Sequence, residues 1–218
     1  MTRYAIDPER SYVWIDARSS VHPIHSSTNG LDGFVEIDLG ADGKLDGDKP
    51  PAGTLSLSVE RLSSGNRMED RELQKRMDAR KFPTIEGKLD RIEQVGDHRY
   101  RVSGEVSLRG TSRRHEDEMT ITAVDDRTIR LEGASRFDIR DYGMEPPRIL
   151  MLKVDPVVDV AVELFAVADA AVMKDAEPTE HAEPMKDAEP TEHAEPTEHA
   201  GDAMPGNDAK AARDREEA

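Results

Sequence analysis

From residue 12 to residue 164 the apolar side chains return at every second position, in short runs separated by turn residues. Val13, Ile15 and Ala17 alternate with Tyr12, Trp14 and Asp16. Val35, Ile37 and Leu39 alternate with Phe34, Glu36 and Asp38, and Leu55, Leu57 and Val59 with Ser56, Ser58 and Glu60. Ile85 and Leu89 oppose Glu86, Lys88 and Asp90, while Tyr100, Val102, Val106 and Leu108 oppose Arg101, Ser103, Glu105 and Ser107. Met119 with Ile121, then Ile129 with Leu131, continue the pattern less cleanly, and Val158, Val160, Val162 and Leu164 close it. Successive strand side chains point to opposite faces, so each run has one apolar face and one that meets water, as in antiparallel sheet. Ala41-Asp42-Gly43, Val95-Gly96-Asp97 and Asp125-Asp126 supply the reversals between runs. Roughly eight such strands must hide their apolar faces together, which predicts an all-β fold, either a closed barrel or a two-sheet sandwich.

One segment has a different period. Met68 to Arg80 carries Leu73 and Met77 four apart among charges and stops before Lys81-Phe82-Pro83, which predicts a short amphipathic helix across one end or flank. The alternation itself ends near Ala168. From Met173 the chain reads MKDAEPTEHAEP, and from Met185 the same twelve residues recur. Residues 168–218 hold six Asp and nine Glu against three Lys and two Arg, a net charge of −10 out of the chain's −16. Such a segment buries too little apolar area to offset the entropy of ordering it, so a folded domain over 1–167 and a disordered acidic tail over 168–218 are expected.

Charge and composition exclude several function classes. A net charge of −16 repels a phosphate backbone, so no nucleic-acid partner is expected. No cysteine is present, which removes disulfides, thiolate metal sites and a thiol nucleophile. No apolar run approaches the roughly 20 residues of a membrane-spanning helix. The opening Met1-Thr2-Arg3-Tyr4-Ala5-Ile6-Asp7-Pro8-Glu9-Arg10 places charge and proline where a secretion signal has an apolar stretch, so the expected location is cytoplasmic. The G-x-S-x-G, P-loop and dinucleotide-binding patterns are absent, and no cofactor is expected.

Five motifs in order carry a resemblance. Tyr4-Ala5-Ile6-Asp7-Pro8-Glu9-Arg10-Ser11 and Gly33-Phe34 resemble the first strands of the YceI-like proteins. Asp70-Arg71-Glu72-Leu73, Met77-Asp78 and Phe82-Pro83-Thr84-Ile85 are similar to that family's helix followed by Phe-Pro and a strand. Gly104-Glu105-Val106-Ser107-Leu108-Arg109-Gly110-Thr111-Ser112 resembles its hairpin, and Phe137-Asp138-Ile139-Arg140-Asp141-Tyr142-Gly143-Met144 its aromatic-glycine turn. The likeness spans residues 4–166. It implies an eight-stranded antiparallel lipocalin-like barrel and an apolar tunnel holding a lipid or polyisoprenoid-like molecule. The chain departs from the family over Asp16-Ala17-Arg18-Ser19-Ser20-Val21-His22-Pro23-Ile24-His25, at the barrel mouth.

Ten inward-facing positions are therefore expected to line a ligand tunnel: Val13, Ile15, Val35, Leu57, Leu89, Tyr100, Val102, Val106, Val160 and Val162. They are mostly medium aliphatics, and Ala17, Gly87 and Gly104 add space, which favours a cavity of roughly 300–1,000 Å³ over a plugged interior. The alternative site is His22-Pro23-Ile24-His25, whose two imidazoles could serve a metal- or haem-dependent enzyme at the mouth, although zinc wants four ligands, or three and water. Asp16, Glu36, Asp70 and Asp138 are the carboxylates available for acid–base work, and no spacing pairs them. Arg109, Arg113, Arg114 and His115, followed by Glu116-Asp117-Glu118, read as a solvated, self-paired loop. Trp14, Phe34 and Phe165 share the outer face and are expected to cluster beneath the helix. A homodimer is compatible with the fold, but no residue pattern names an interface.

Overall fold

The computed structural model describes residues 1–40, 44–45, 50–146, 148–149 and 152–169. The Ala41-Asp42-Gly43 reversal and the tail beyond residue 169, with both copies of the repeat, lie outside the described residues. The strands are β1 Thr2–Ile6, β2 Tyr12–Ser19, β3 Ile24–Thr28, β4 Asp32–Ile37 and β5 Ala52–Ser58, then helix α1 Arg67–Met77. There follow β6 Thr84–Gln94, β7 Arg99–Leu108, β8 Thr111–Ala123, β9 Thr128–Asp138, the two-residue β10 Arg148–Ile149 and the long β11 Leu152–Ala168.

All pairings are antiparallel, and the sheet closes on itself as an eight-stranded barrel, because β1 and β2 occupy one strand position and β3 and β4 the next. β11 makes the closure. One of its edges pairs with β9 from Val157 to Val167. Its other edge pairs with β2 between Val154 and Glu163, and with β1 from Ala166 to Ala168.

Residues 7–11 break the β1–β2 position, and the break leaves the backbone of Phe165 without a ladder partner on that edge. Ser11 repairs this. It is fully buried, and its Oγ accepts from the Phe165 N–H at 3.0 Å and donates to the Phe165 carbonyl at 3.3 Å. The Asp7 N–H donates to the same carbonyl at 2.8 Å. The neighbouring break at residues 29–31 is tied on by the Gly30 N–H, which donates to the Pro8 carbonyl at 2.8 Å. Across the first break the inward phase changes from even (Tyr4, Ile6) to odd (Val13, Ile15). A β-bulge between Leu89 and Arg91 does the same in β6, setting Ile92 opposite Val102.

The helix is shorter than its sequence period suggests. It ends at Met77 because Asp78 turns into the left-handed region (φ 50°), where the Asp78 and Ala79 N–H groups close onto the Lys75 and Gln74 carbonyls. At the other end the Asn66 side chain caps the Met68 N–H at 3.0 Å. The Asp70 carboxylate holds the preceding loop, accepting from the Ser64 N–H at 2.7 Å, the Ser64 hydroxyl at 2.8 Å and the Ser63 hydroxyl at 3.0 Å. Desolvation pushes this carboxyl up, but those hydrogen bonds together outweigh it and hold the pKa below the usual Asp value.

The expected reading of residues 111–118 as a loop is corrected: they are the first half of β8. Its outward side chains are charged because they pair across the barrel surface, Arg114 with both oxygens of Asp90 at 2.7 and 3.0 Å, and Glu118 with Arg99. The three outer aromatics do not share one cluster. Trp14 stacks on Tyr12 with ring centroids 5.7 Å apart, Arg3 lies over Phe34 at 3.4 Å, and Arg10 lies over Phe165 at 4.2 Å.

Replacing Ser11 with Ala strands the buried Phe165 N–H and should cost about 1–3 kcal/mol in urea unfolding, with the slope unchanged. Asp70 has a depressed folded pKa, so its stabilisation is present above the unfolded Asp pKa and is lost as pH falls through the folded one. The melting-temperature gap between the native chain and Asp70→Ala should accordingly be widest near neutrality and close below about pH 4.

Candidate functional site

The inward faces of the strands do not meet at the barrel axis. They enclose two apolar cavities, of about 370 Å³ beneath α1 and about 230 Å³ toward the far end. Leu55, Gly87, Val102, Val106, Met119 and Val162 line both, so the two volumes share a neck. Leu73 and Met77 of α1 roof the wider cavity, with Glu69 and Arg76 at its rim. The helix thus roofs this cavity with its apolar stripe, and the Asp70 hydrogen bonds fix its N-terminal end.

Of the ten positions expected to line a ligand tunnel, nine border these cavities. Val13, Ile15, Leu57 and Val160 face the wider cavity. Val35 and Leu89 face the narrower one, and Val102, Val106 and Val162 lie at the neck. Tyr100 is the exception, because it is fully buried within the core and its hydroxyl accepts from the Leu45 N–H at 3.3 Å. A ring anchored in that way fills the barrel instead of lining a void.

The glycines have two different roles. A Cβ at Gly104 would sit 2.1 Å from the Lys88 carbonyl oxygen, so this glycine permits close approach of β6 and β7; the expectation that it makes room is corrected. A Cβ at Gly87 would meet nothing closer than Leu55 at 3.9 Å. Gly87 leaves open the neck that a larger side chain would fill.

Three polar side chains also face this interior. β8 sets His115 opposite Gly104 and Asp117 opposite Val102, both inward positions, and Ser135 of β9 lies beside them. The His115 Nε2 lies 2.6 Å from the Ser135 Oγ and 2.5 Å from Asp117 Oδ2, with the imidazole stacked on Phe137 at 4.3 Å. Both oxygens address the same ring nitrogen, whereas a Ser-His-Asp triad places them on opposite nitrogens. Sequence reasoning missed the cluster. The signal was present, since the odd inward phase of Ile121 and Met119 continues backwards through Asp117 to His115.

Tyr142 lines the wider cavity. Burial, then the nearby Asp141, raises its phenol above the ordinary tyrosine pKa, against a smaller pull from Arg113, so it stays a neutral hydroxyl at physiological pH.

The structure separates the mouth histidines. His25 Nδ1 lies 2.6 Å from Asp16 Oδ1, and His22 lies 3.8 Å from Glu69 Oε1, all four groups being on the exterior rim. Among the described residues no three His, Asp or Glu side chains converge in a metal-holding arrangement. The carboxylates considered for acid–base work are dispersed: Glu36 pairs with Arg3 at 2.8 Å, Asp70 with its serines, and Asp138 with Arg140. Among the described residues no helix is long and apolar enough to cross a membrane.

Solved structures share the architecture. Burkholderia cenocepacia BcnA aligns with a TM-score of 0.61 at 13% identity, covering 73% of this chain and 98% of its own. A polyisoprenoid-binding domain from Saccharophagus degradans, implicated in plant cell wall breakdown, aligns with a TM-score of 0.58 at 12% identity, covering 76% and 98%. The Campylobacter jejuni YceI protein aligns with a TM-score of 0.56 at 12% identity, covering 69% and 88%. No curated protein matches the chain in sequence. At such identities the solved structures speak for the fold, and it is the YceI-like domain model, matching residues 4–166, that shows this chain to belong to the YceI-like family.

Proposed function

We propose that the chain binds and carries a lipid or polyisoprenoid-like molecule inside the barrel. One observation carries this reading: the aliphatic faces of the strands stop short of one another and leave two joined apolar cavities under a helical lid. Void in a protein interior costs packing, and a chain that filled its core would gain stability by closing it. Here Gly87 holds the neck open. An apolar chain entering it would gain about 0.8 kcal/mol per buried methylene, from which the loss of its freedom is subtracted. The family and the polyisoprenoid-binding neighbour from Saccharophagus degradans support the same ligand class.

The test is to obstruct the neck by two independent routes. Gly87→Leu projects a side chain into open space, and Val102→Trp overfills the neck from a second position, on β7. In competition against the neutral fluorophore N-phenyl-1-naphthylamine, both variants should bind C16–C20 apolar chains at least tenfold more weakly. Circular dichroism should show the fold retained. Unchanged uptake in a folded variant of either kind would overturn an interior site. Organic extraction of the native chain, followed by mass spectrometry, should recover an apolar molecule that the obstructed variants lack.

A further inference from the structure

The neck contains a charge that a purely apolar carrier does not need. Asp117 lines both cavities, and His115 and Ser135 each line one of them. Burying such groups beside hydrocarbon costs free energy unless they are paired. Their pairing within the protein is incomplete, and the way it is incomplete specifies a partner.

The proton positions follow from donor and acceptor chemistry. An ionised carboxylate only accepts, and its charge 2.5 Å from His115 Nε2 favours the hydrogen on that nitrogen. The Ser135 Oγ, 2.6 Å from that same nitrogen, meets an N–H and therefore accepts as well. Two capacities remain. The Ser135 O–H is left to donate, and Asp117 Oδ1 is left to accept, with no further protein partner for either among the described residues. One donor and one acceptor side by side on a cavity wall complement a hydroxyl, which accepts from the serine and donates to the aspartate. A carboxylate ligand would face the Asp117 charge, and a plain hydrocarbon would leave both groups unmet.

We infer that His115, Asp117 and Ser135 form an internal recognition site for the hydroxyl of a long-chain alcohol, positioned at the neck between the two cavities. This rests on the carrier reading above and specifies its ligand class. The imidazole, held flat against Phe137, is a positioning residue that fixes the aspartate and serine.

The experiment compares dodecan-1-ol, dodecane and dodecanoic acid as competitors of N-phenyl-1-naphthylamine on the full chain. The alcohol should bind at least tenfold more tightly than either of the others. Ser135→Ala and Asp117→Asn should each reduce that preference severalfold, by weakening the alcohol and tightening dodecane, which no longer leaves a polar group unmet. Ser135→Ala removes a single oxygen, so it keeps the test open should Asp117→Asn fold poorly. Equal binding of alcohol and alkane by the native chain, or a preference surviving in Ser135→Ala, overturns the hydroxyl site and leaves the carrier intact. Failure of the native chain to take up either overturns both.

Discussion

Everything in this molecule depends on one strand meeting two partners along the same edge. β11 is 17 residues long and pairs with β9 on one side, while its other edge is shared end to end by β2 and β1. A barrel has no free edge only if that shared edge is unbroken. The chain breaks it at residues 7–11, and the Ser11 hydroxyl, together with the Asp7 N–H on the carbonyl, substitutes for the missing ladder at Phe165. The break has a purpose in the packing. It changes which parity faces inward, so that Tyr4 and Ile6 join the core at the end with the narrower cavity while Val13, Ile15 and Ala17 wall the wider one.

The narrower cavity is bordered by a tighter core than the wider one. Tyr100, Ile121 and Ile129 are completely or almost completely buried, and pack against Tyr4, Ile37 and Leu131 as an ordinary core. Toward α1 the inward side chains of the strands do not meet, and Leu73 and Met77 of the helix cover the space between them. Leu73 and Met77 are therefore better described as roof than as core. An unbranched Met adapts to a ligand of irregular shape at little cost.

The alternation of polar and apolar residues makes the β architecture and most of the cavity wall legible in the amino-acid sequence, because a period of two leaves no choice of face within a strand. It does not carry phase across interruptions. The break at residues 7–11, the bulge at Asp90 and the register shift between Val154 and Val158, which contains Pro156, are fixed by hydrogen bonds between residues far apart in sequence. Tyr100 has the right parity, but its depth follows from an anchoring bond to Leu45 that no local pattern announces. Residues 111–118 mislead for a different reason. Charged side chains on both faces resemble a loop, yet the outward ones are held by surface ion pairs and the inward ones by one another.

The polar residues at the neck also answer a problem that an apolar tunnel has by construction. Hydrocarbon contact discriminates weakly, since one methylene more or less is worth only about 1–3 kcal/mol, and chains of many lengths would be accepted. A donor and an acceptor on a cavity wall discriminate by what they refuse, because a ligand lacking the matching group displaces their solvent without replacing its hydrogen bonds. In a carrier of the proposed kind, their place at the neck rather than the mouth would convert chemical selection into positional selection, since the part of the ligand that satisfies Asp117 and Ser135 would fix how much chain occupies each cavity. The wider cavity, roofed by Leu73 and Met77, would then take up the remainder. Affinity in such a design resides in the aliphatic walls, and identity resides in three side chains on two adjacent strands.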